Sequence, residues 1–578
     1  MIINDDNIYG KIDLAKSTAT LNAGEKSHIA SLAYKSKNYT ILIYGDIFNV
    51  ATLQKELGCK IELPKNPSVA QIVLALFIEY DKKVLDMLHG MYAIAIYESG
   101  TKRLILARDR VGSRSLLYTL QNDILTFASD YKTLFADKDI KAIFTQESLQ
   151  HIFLLGPAHS PTSGVFKDIC ALPGGHYLEY SIKGISIQSY WSLKTKDEFM
   201  SAQTAVDKTR SLIADSVLAT LTTDAPPAIF LSGGLDSSIV STIAAAKYDM
   251  KGESLHTYSI DFEDSRKDFL QNSFQPSLDK DFVQTMVNRI GSKHKDIVLT
   301  NQDLGESLTE AAIARGLPGM ADVDSSLLLF AKEVAKSHSY ALSGECADEI
   351  FGGYPWYHNK ELRDYDGFPW SRSVEMRSNL LKDTNHSKSK EFVMSHYNDT
   401  IKNLEYHSNE DDTDKRIRQL FVLNLSWFGA TLLERKERMT VAAGITVRMP
   451  FTDYRLIEWA YNLPWCYKAL DGREKGIMRE AFKDLLPLPI IKRKKSPFPK
   501  TYSNVYLSFV RNALRDIINS NSVLNQIINL EYLNTLLTLD PNDVSLSPWY
   551  GQLMRLPQLF AFIVQLDAII REFGVTIE

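Results

Sequence analysis

Leu231-Ser-Gly-Gly-Leu-Asp-Ser-Ser238 follows a short apolar run and opens a segment of helical composition. Paired glycines let a backbone turn sharply and approach a ligand closely. Successive amides leading into a helix N-terminus make an anion site, to which Ser232, Ser237 and Ser238 add hydroxyl donors. Asp236 is the odd member, because a carboxylate beside phosphates makes sense only if a Mg²⁺ bridges the two. The string lacks the G-x-x-x-x-G-K-[ST] pattern of the Walker loop. A second cluster, Tyr340-Ala-Leu-Ser-Gly-Glu-Cys-Ala-Asp-Glu349, repeats the logic: an apolar strand end meets Ser343-Gly344, and Glu345, Asp348 and Glu349 follow. A helical turn starting there would put Glu345 and Asp348 on one face. Carboxylates so close are costly without a cation, and a metal shared with Asp236 would relieve this, unless one of them acts as a base. The structural alternatives are a strand–turn–helix junction capped by Asp236 and a solvated helix N-terminus, which favours acids in any case. Gly352-Gly353-Tyr354 downstream weighs toward a ligand, since a glycine pair after an acidic turn suits close packing around one.

These turns need a frame. Ala202 to Leu221 reads as a helix, Ala228 to Leu231 as a buried strand, and the glycine turn leads into another helix. Leu255 to Phe262 reads as a strand, Asp279 to Gly291 as a helix and Lys295 to Leu299 as a strand. Strands alternating with helices predict a parallel sheet, and the chain beyond about Glu391 reads as mostly helical. The first third has a different texture. Ile41 to Tyr44, Met91 to Tyr97 and Leu104 to Ala107 are short strands, Val69 to Glu79 is a helix, and Tyr177 to Trp191 closes as a hairpin. The polar stretch from Ser192 to Met200 marks the boundary, giving domains 1–195 and 200–578.

A chain of 578 residues exceeds a single hydrophobic core. With 65 Lys plus Arg against 70 Asp plus Glu, its formal charge of −5 offers no footprint for a polyanion, so no nucleic-acid partner is expected. No apolar run has membrane-spanning length and no signal peptide stands at the N-terminus. Cys59, Cys170, Cys346 and Cys466 are far apart and form no C-x-x-C pair, which argues against zinc or a disulfide framework and for a reducing, cytoplasmic setting.

Leu231 to Ser238 and Ser343 to Tyr354 together resemble the two ATP-site motifs of the asparagine synthetase family. Leu432-Leu-Glu-Arg-Lys-Glu-Arg-Met439 running on to Arg455, Arg473-Glu-Lys475 with Arg479, and Arg493-Lys-Lys-Ser-Pro-Phe-Pro-Lys500 agree in the same order. The resemblance implies a doubly wound α/β synthetase domain with appended helices, using ATP and Mg²⁺ to adenylate a carboxylate, with release of pyrophosphate, and pass it to an amine. It implies adenosine contacts at Leu231 and Ile260, a pyrophosphate loop of Ser232, Gly233, Gly234, Asp236, Ser237 and Ser238, and Ser343-Gly344 beside the ribose and α-phosphate. Asp236 and Asp348 would hold the metal. Lys475 would stabilise the α-phosphate and Glu345 would take a proton from the amine. Arg315, Asp322, Asp324 and Ser325 would lie near the acyl substrate. The basic run Lys492 to Lys495 reads as a solvated or substrate-facing loop.

The first third resembles the family's glutaminase domain, an α+β sandwich of class II amidotransferase type, at Tyr44-Gly-Asp-Ile-Phe-Asn49, His89 to Tyr97, Ala107 to Leu117, Phe127 to Asp130 and Leu172 to Leu178. The departures matter more. The family nucleophile is a Cys directly after the initiator Met, and Ile2 stands there. Few residues precede Tyr44, too few for the usual arginine-bearing loop, and Ile43-Tyr44 replace the expected Asn before Gly45. These departures predict a degenerate glutaminase kept as scaffold.

Without an internal ammonia source, the amine must come from elsewhere. Gly112-Ser-Arg-Ser-Leu116 is similar to lasso-peptide macrolactam cyclases, while a Tyr at the position of Glu345, as in β-lactam synthetases, is absent. The expectation is therefore a cyclase joining an Asp or Glu side chain to a peptide N-terminus, with a leader-binding protein and a protease as partners. The alternatives are an ammonia-dependent asparagine synthetase and an inactive regulatory or binding homologue. Retention of Asp236, Glu345, Asp348 and Lys475 argues against the last.

Overall fold

The computed structural model describes residues 6–58, 61–196, 200–222, 225–263, 278–498, 500–501, 503–540, 548–552 and 554–578. Ile2 and Cys59 lie outside the described residues. The chain divides into two compact units, Met1–Thr145 with Pro161–Leu193, and Gln146–Ser160 with Lys194–Glu578.

The first unit holds the strands β1 (Ile8–Asp13), β2 (Thr18–Ala23), β3 (His28–Tyr34), β4 (Lys37–Ile47), β5 (Gly90–Glu98), β6 (Arg103–Arg108), β7 (Leu117–Gln121), β8 (Ile124–Ala128), β9 (Cys170–Ala171), β10 (His176–Ser181) and β11 (Gly184–Ser189). They form two sheets of an α+β sandwich, ordered β9-β7-β8-β1-β2 and β11-β10-β6-β5-β4-β3. Their pairings are antiparallel. Helix α1 (Val69–Tyr80) starts at a capping box of Ser68 and Gln71. It buries Ile72, Leu76 and Phe77 in one cluster with Ile41, Ile43, Ile94 and Ile96 of the sheet. The apolar run Ile41 to Tyr44 is thus the middle of a longer strand, whose ends are carried by pairing with β3 and β5 rather than by composition.

In the second unit, β12 (Ala228–Phe230), β13 (His256–Phe262), β14 (Lys293–Leu299), β15 (Tyr340–Leu342) and β16 (Thr446–Arg448) form a parallel sheet ordered β14-β13-β12-β15-β16. The alternation of strands and helices predicted a parallel sheet, and the doubly wound arrangement is the one the family resemblance implied. The winding goes outward from β12 through β13 to β14, then returns to the other side of β12 at β15. A ligand crevice belongs at such a reversal, outside the carboxyl ends of the strands. The helices that matter for the site are α2 (Ala202–Thr220), α3 (Leu235–Asp249), α4 (Lys280–Ile290), α5 (Asp322–Ala335), α6 (Ala347–Phe351), α7 (Gly429–Ala442), α8 (Gly476–Ala481) and α9 (Leu556–Phe573). Among the described residues no helix is long and apolar enough to cross a membrane.

Candidate active site

The two motifs leave β12 and β15, neighbours across the reversal. At the first, Gly233 has φ +65°, and a Cβ there would meet Phe282 and the amide of Val283 at 2.6 Å. Gly234 is the N-cap of α3. The turn is tied by its own hydroxyls: the Ser232 amide donates to Ser237 Oγ at 3.2 Å, and the two hydroxyls lie 3.1 Å apart. At the second motif, a Cβ on Gly344 would fall 2.9 Å from Asp236 Cβ. Glycine there lets the two turns touch. Cys346 takes φ +79°, so α6 begins only at Ala347. Glu345 and Asp348 therefore do not share a helical face. A left-handed residue between them, not helical spacing, brings both carboxylates to the same cavity. Gly353 packs directly on Asp348, since a Cβ there would lie 1.8 Å from its Oδ1, while a Cβ on Gly352 would meet the ring of Trp465. The glycine pair makes room for these side chains, and Tyr354 beyond it lines the cavity.

A cavity of about 270 Å³ opens over these turns, lined by residues that include Leu231, Ser232, Gly234, Asp236, Ser237, Ile260, Ser343, Gly344, Glu345, Asp348 and Lys475. Lys475 is 2% exposed and sits at φ +54°, at the N-cap of α8. Its ammonium donates to both oxygens of Asp236, at 2.8 and 2.7 Å, and to Asp348 Oδ1 at 2.7 Å. Lys495 reaches Asp348 Oδ2 at 2.6 Å. Glu345 is paired with Lys436 at 3.0 Å and Arg435 at 3.3 Å. Where the sequence called for a metal, lysine ammoniums stand on these carboxylates, several of them from stretches the sequence marked only as motifs.

Electrostatics follow. Burial pushes the Asp348 carboxyl up, but the ammoniums of Lys475 and Lys495 outweigh it and hold the group below its ordinary value. Burial raises Asp236 against the pull of Lys475. For Glu345, burial is again outweighed, by Lys436 and Arg435, and the carboxyl is held low. Glu349 has no cation beside it. Burial together with the charge of Asp348 pushes it up to about 8, and it accepts the Tyr354 hydroxyl at 2.7 Å.

The two remaining basic motifs are locked to the same place. Arg493 donates to the Ser232 carbonyl at 2.9 Å and ion-pairs with Asp279, with its guanidinium over the ring of Phe282. Glu474 accepts Arg479 Nη2 at 2.7 Å and the amide of Lys495 at 3.0 Å, so the residue preceding Lys475 also fixes the loop carrying Lys495.

Other expected residues lie off the cavity. Gly233 turns toward α4. Ser238, one step further round α3 than Ser237, is fully buried and its hydroxyl has no partner. Arg315, Asp322, Asp324 and Ser325 are packed behind the lining, at 1% exposure or less. Arg315 is committed there to Asp324 at 3.4 Å, Glu434 at 3.2 Å and the Pro157 carbonyl at 3.2 Å. Asp322 accepts the Thr501 amide at 3.2 Å, and burial pushes its carboxyl up to about 6. These groups brace the wall. Tyr354, Phe428, Leu432 and Phe498 add apolar lining to the cavity.

Asp236 and Asp348 reach one cation position from two turns, and both offer hard carboxylate oxygens, a donor set that fits Mg²⁺ shared with phosphate.

The Asparagine synthase family model matches residues 208–561 and the Glutamine amidotransferase domain model residues 17–191. Over 582 aligned residues, covering 100% of this chain and 94% of the relative, the chain is 38% identical to asparagine synthetase [glutamine-hydrolyzing] 3 of Bacillus subtilis. It is 27% identical to asparagine synthetase 1 of the same organism, over 88% of this chain and 82% of that one. With asparagine synthetase B of Escherichia coli it shares 24%, over 83% and 73%. The parallel sheet with its two turns at the point of reversal, the cations gathered on their acids and a match running the length of the chain have one reading: the protein belongs to the asparagine synthetase family, ligases that form carbon–nitrogen bonds while splitting ATP into AMP and pyrophosphate.

Proposed function

We propose that the chain adenylates the side-chain carboxyl of aspartate and transfers it to ammonia that does not come from glutamine. One observation carries this reading. The turns after β12 and β15, with Lys475 between their acids, line one cavity, in a chain aligned end to end with a relative named asparagine synthetase [glutamine-hydrolyzing] 3, from whose name the nitrogen source proposed here departs. Leu231 and Ile260 would border the adenosine, and the amides of the Ser232 turn with Ser237 would receive the phosphates. Lys475 stands beside the acids that would border the α-phosphate and can take up the negative charge that develops there. Glu345, ionised by its cations, would accept the proton of the attacking amine. Bound Mg²⁺, held by Asp236 and Asp348, would offset phosphate charge. The reducing cytoplasm remains the compartment we infer.

The nitrogen assignment rests on the first unit, which we read as a degenerate glutaminase. Where the family's Asn is expected, Tyr44 is 2% exposed, with the Arg114 guanidinium 5.6 Å from its ring centroid. The neighbouring loop is satisfied internally: Asp109 accepts the amides of Tyr92, Val111, Gly112 and Ser113. Arg108 is held by the carbonyls of Gly112, Arg114 and Leu172.

A second reading, the lasso-type peptide cyclase with its leader-binding protein and protease, draws no support from the three relatives, each named an asparagine synthetase. What favours it is the apolar lining that Tyr354, Phe428, Leu432 and Phe498 give the cavity that Glu345 also lines. AMP and pyrophosphate release should be followed with aspartate plus ammonium, with aspartate plus glutamine, and with a linear peptide bearing a free N-terminus and an internal acid. Turnover with ammonium alone is expected. Equal turnover with glutamine would overturn the nitrogen assignment, and turnover with the peptide alone would move the protein to the second reading.

A further inference from the structure

Every carboxylate oxygen of the Asp236–Asp348 pair is taken by a lysine. Lys475 holds both oxygens of Asp236 and Oδ1 of Asp348, and Lys495 holds the remaining Oδ2. Both lysines are fixed at the backbone. Lys475 is followed by Gly476, where a Cβ would meet the Leu470 carbonyl at 2.3 Å. The Lys495 amide is bonded to Glu474. What can move is the length of each side chain.

A divalent cation arriving alone would have to expel the Lys475 ammonium from between two carboxylates, in a cavity where Glu345 already carries Lys436 and Arg435 and Asp279 already carries Arg493. Expelling the ammonium strips a buried lysine of both carboxylates it now holds, and stranding a buried ion is costly. A polyphosphate changes this balance, because it offers both ammoniums new oxygens while bringing the metal its own. We propose that Lys475 and Lys495 are resident counter-ions of the metal ligands, so that the empty protein excludes free divalent cations and admits one only together with a nucleotide. This rests on the reading of Asp236 and Asp348 as the metal's carboxylates. Lys495, which the sequence marked only as part of a basic loop, thereby becomes a positioning residue for the metal step.

The full chain can be titrated with Mn²⁺, counting free ion by electron paramagnetic resonance, alone and with α,β-methylene-ATP. The wild type alone should show no tight site, and the analogue should create one. By reciprocity, Mn²⁺ should tighten the analogue by the same factor, on the order of 5–150-fold as is usual for coupled sites. Lys475→Met, tested for a native unfolding transition, should bind Mn²⁺ without nucleotide, and adding Asp348→Asn should abolish that binding. Lys495→Met should give a weaker version, and it tests the idea independently should Lys475→Met not fold. Wild type that binds Mn²⁺ as tightly alone as either lysine variant would overturn the proposal. A nucleotide-dependent Mn²⁺ site untouched by Asp236→Asn and Asp348→Asn would overturn instead the assignment of those carboxylates.

Discussion

Lys436 Nζ lies 3.0 Å from Glu345 Oε1, in a pair whose lysine is 3% exposed. The contact keeps Glu345 ionised and so able to accept a proton, while limiting how strongly it pulls. Glu345→Gln should keep ATP–pyrophosphate exchange in the presence of the acyl substrate and lose amide formation by about 10²–10⁴-fold, the usual worth of a positioned base. Lys436→Met removes a cation that holds the Glu345 pKa down. A higher pKa leaves the carboxylate protonated to higher pH, so the acid limb of the amide-formation profile should move upward. Amide output from Glu345→Gln at the wild-type rate would exclude this base.

Arg493 ties the loop after α8 to the glycine turn after β12 through the Ser232 carbonyl and to the start of α4 through Asp279. Arg493→Met should raise KM for ATP by about 10–100-fold, as expected for a lost charge-assisted hydrogen bond. Asp279→Asn should weaken the same clamp, and the double variant should cost less than the two effects added together. Strict additivity, measured by pyrophosphate exchange, would mean that the two side chains act separately.

The glycines of the two turns should differ sharply. A Cβ on Gly353 would lie 1.8 Å from Asp348 Oδ1, whereas one on Gly234 would meet only Ser232 Oγ at 3.3 Å. Gly353→Ala should displace Asp348, destabilising the chain by about 1–3 kcal/mol as overpacking does, and abolish pyrophosphate exchange. Gly234→Ala, whose Cβ would press on the single Ser232 hydroxyl, should fold as the wild type with exchange reduced less than about tenfold. Urea unfolding and exchange assays on both variants decide this.

His151 is buried edge-on to Phe392, 5.3 Å between centroids, with no partner for Nδ1. Burial, with His396 and His159 adding to it, pushes its pKa down from 6.5 to about 3. Between those values the unfolded chain binds a proton that the folded chain does not. This contribution to stability is whole above 6.5 and is lost as pH falls toward 3, at up to about 1.4 kcal/mol per pH unit. His151→Phe should flatten the stability profile below pH 6.5, measured by urea unfolding, and a profile unchanged by the substitution would place the acid sensitivity elsewhere.

What the sequence determined by itself is local. The apolar runs with glycine turns after them predicted the strands β12 and β15 and the N-terminus of α3, because strand, turn and helix start are encoded within a few residues of one another. The same locality marked Asp236, Glu345 and Asp348 as candidates, whereas Lys475 stood out only through the family resemblance of Arg473 to Arg479. The tertiary structure decided which charges meet. Lys475 lies 239 residues from Asp236 in the chain, and Lys436 is far from Glu345. No periodicity links residues so distant, and their pairing follows from the order β14-β13-β12-β15-β16 and from where α7 and α8 land. Helical spacing misjudged the relation of Glu345 to Asp348, because the left-handed Cys346 between them is a conformation that side-chain chemistry does not announce. Burial separated the rest. Ser237 faces the cavity while Ser238 is sealed, and Arg315 is spent on Asp324 and Glu434, since which face of a helix is covered depends on the neighbour that covers it.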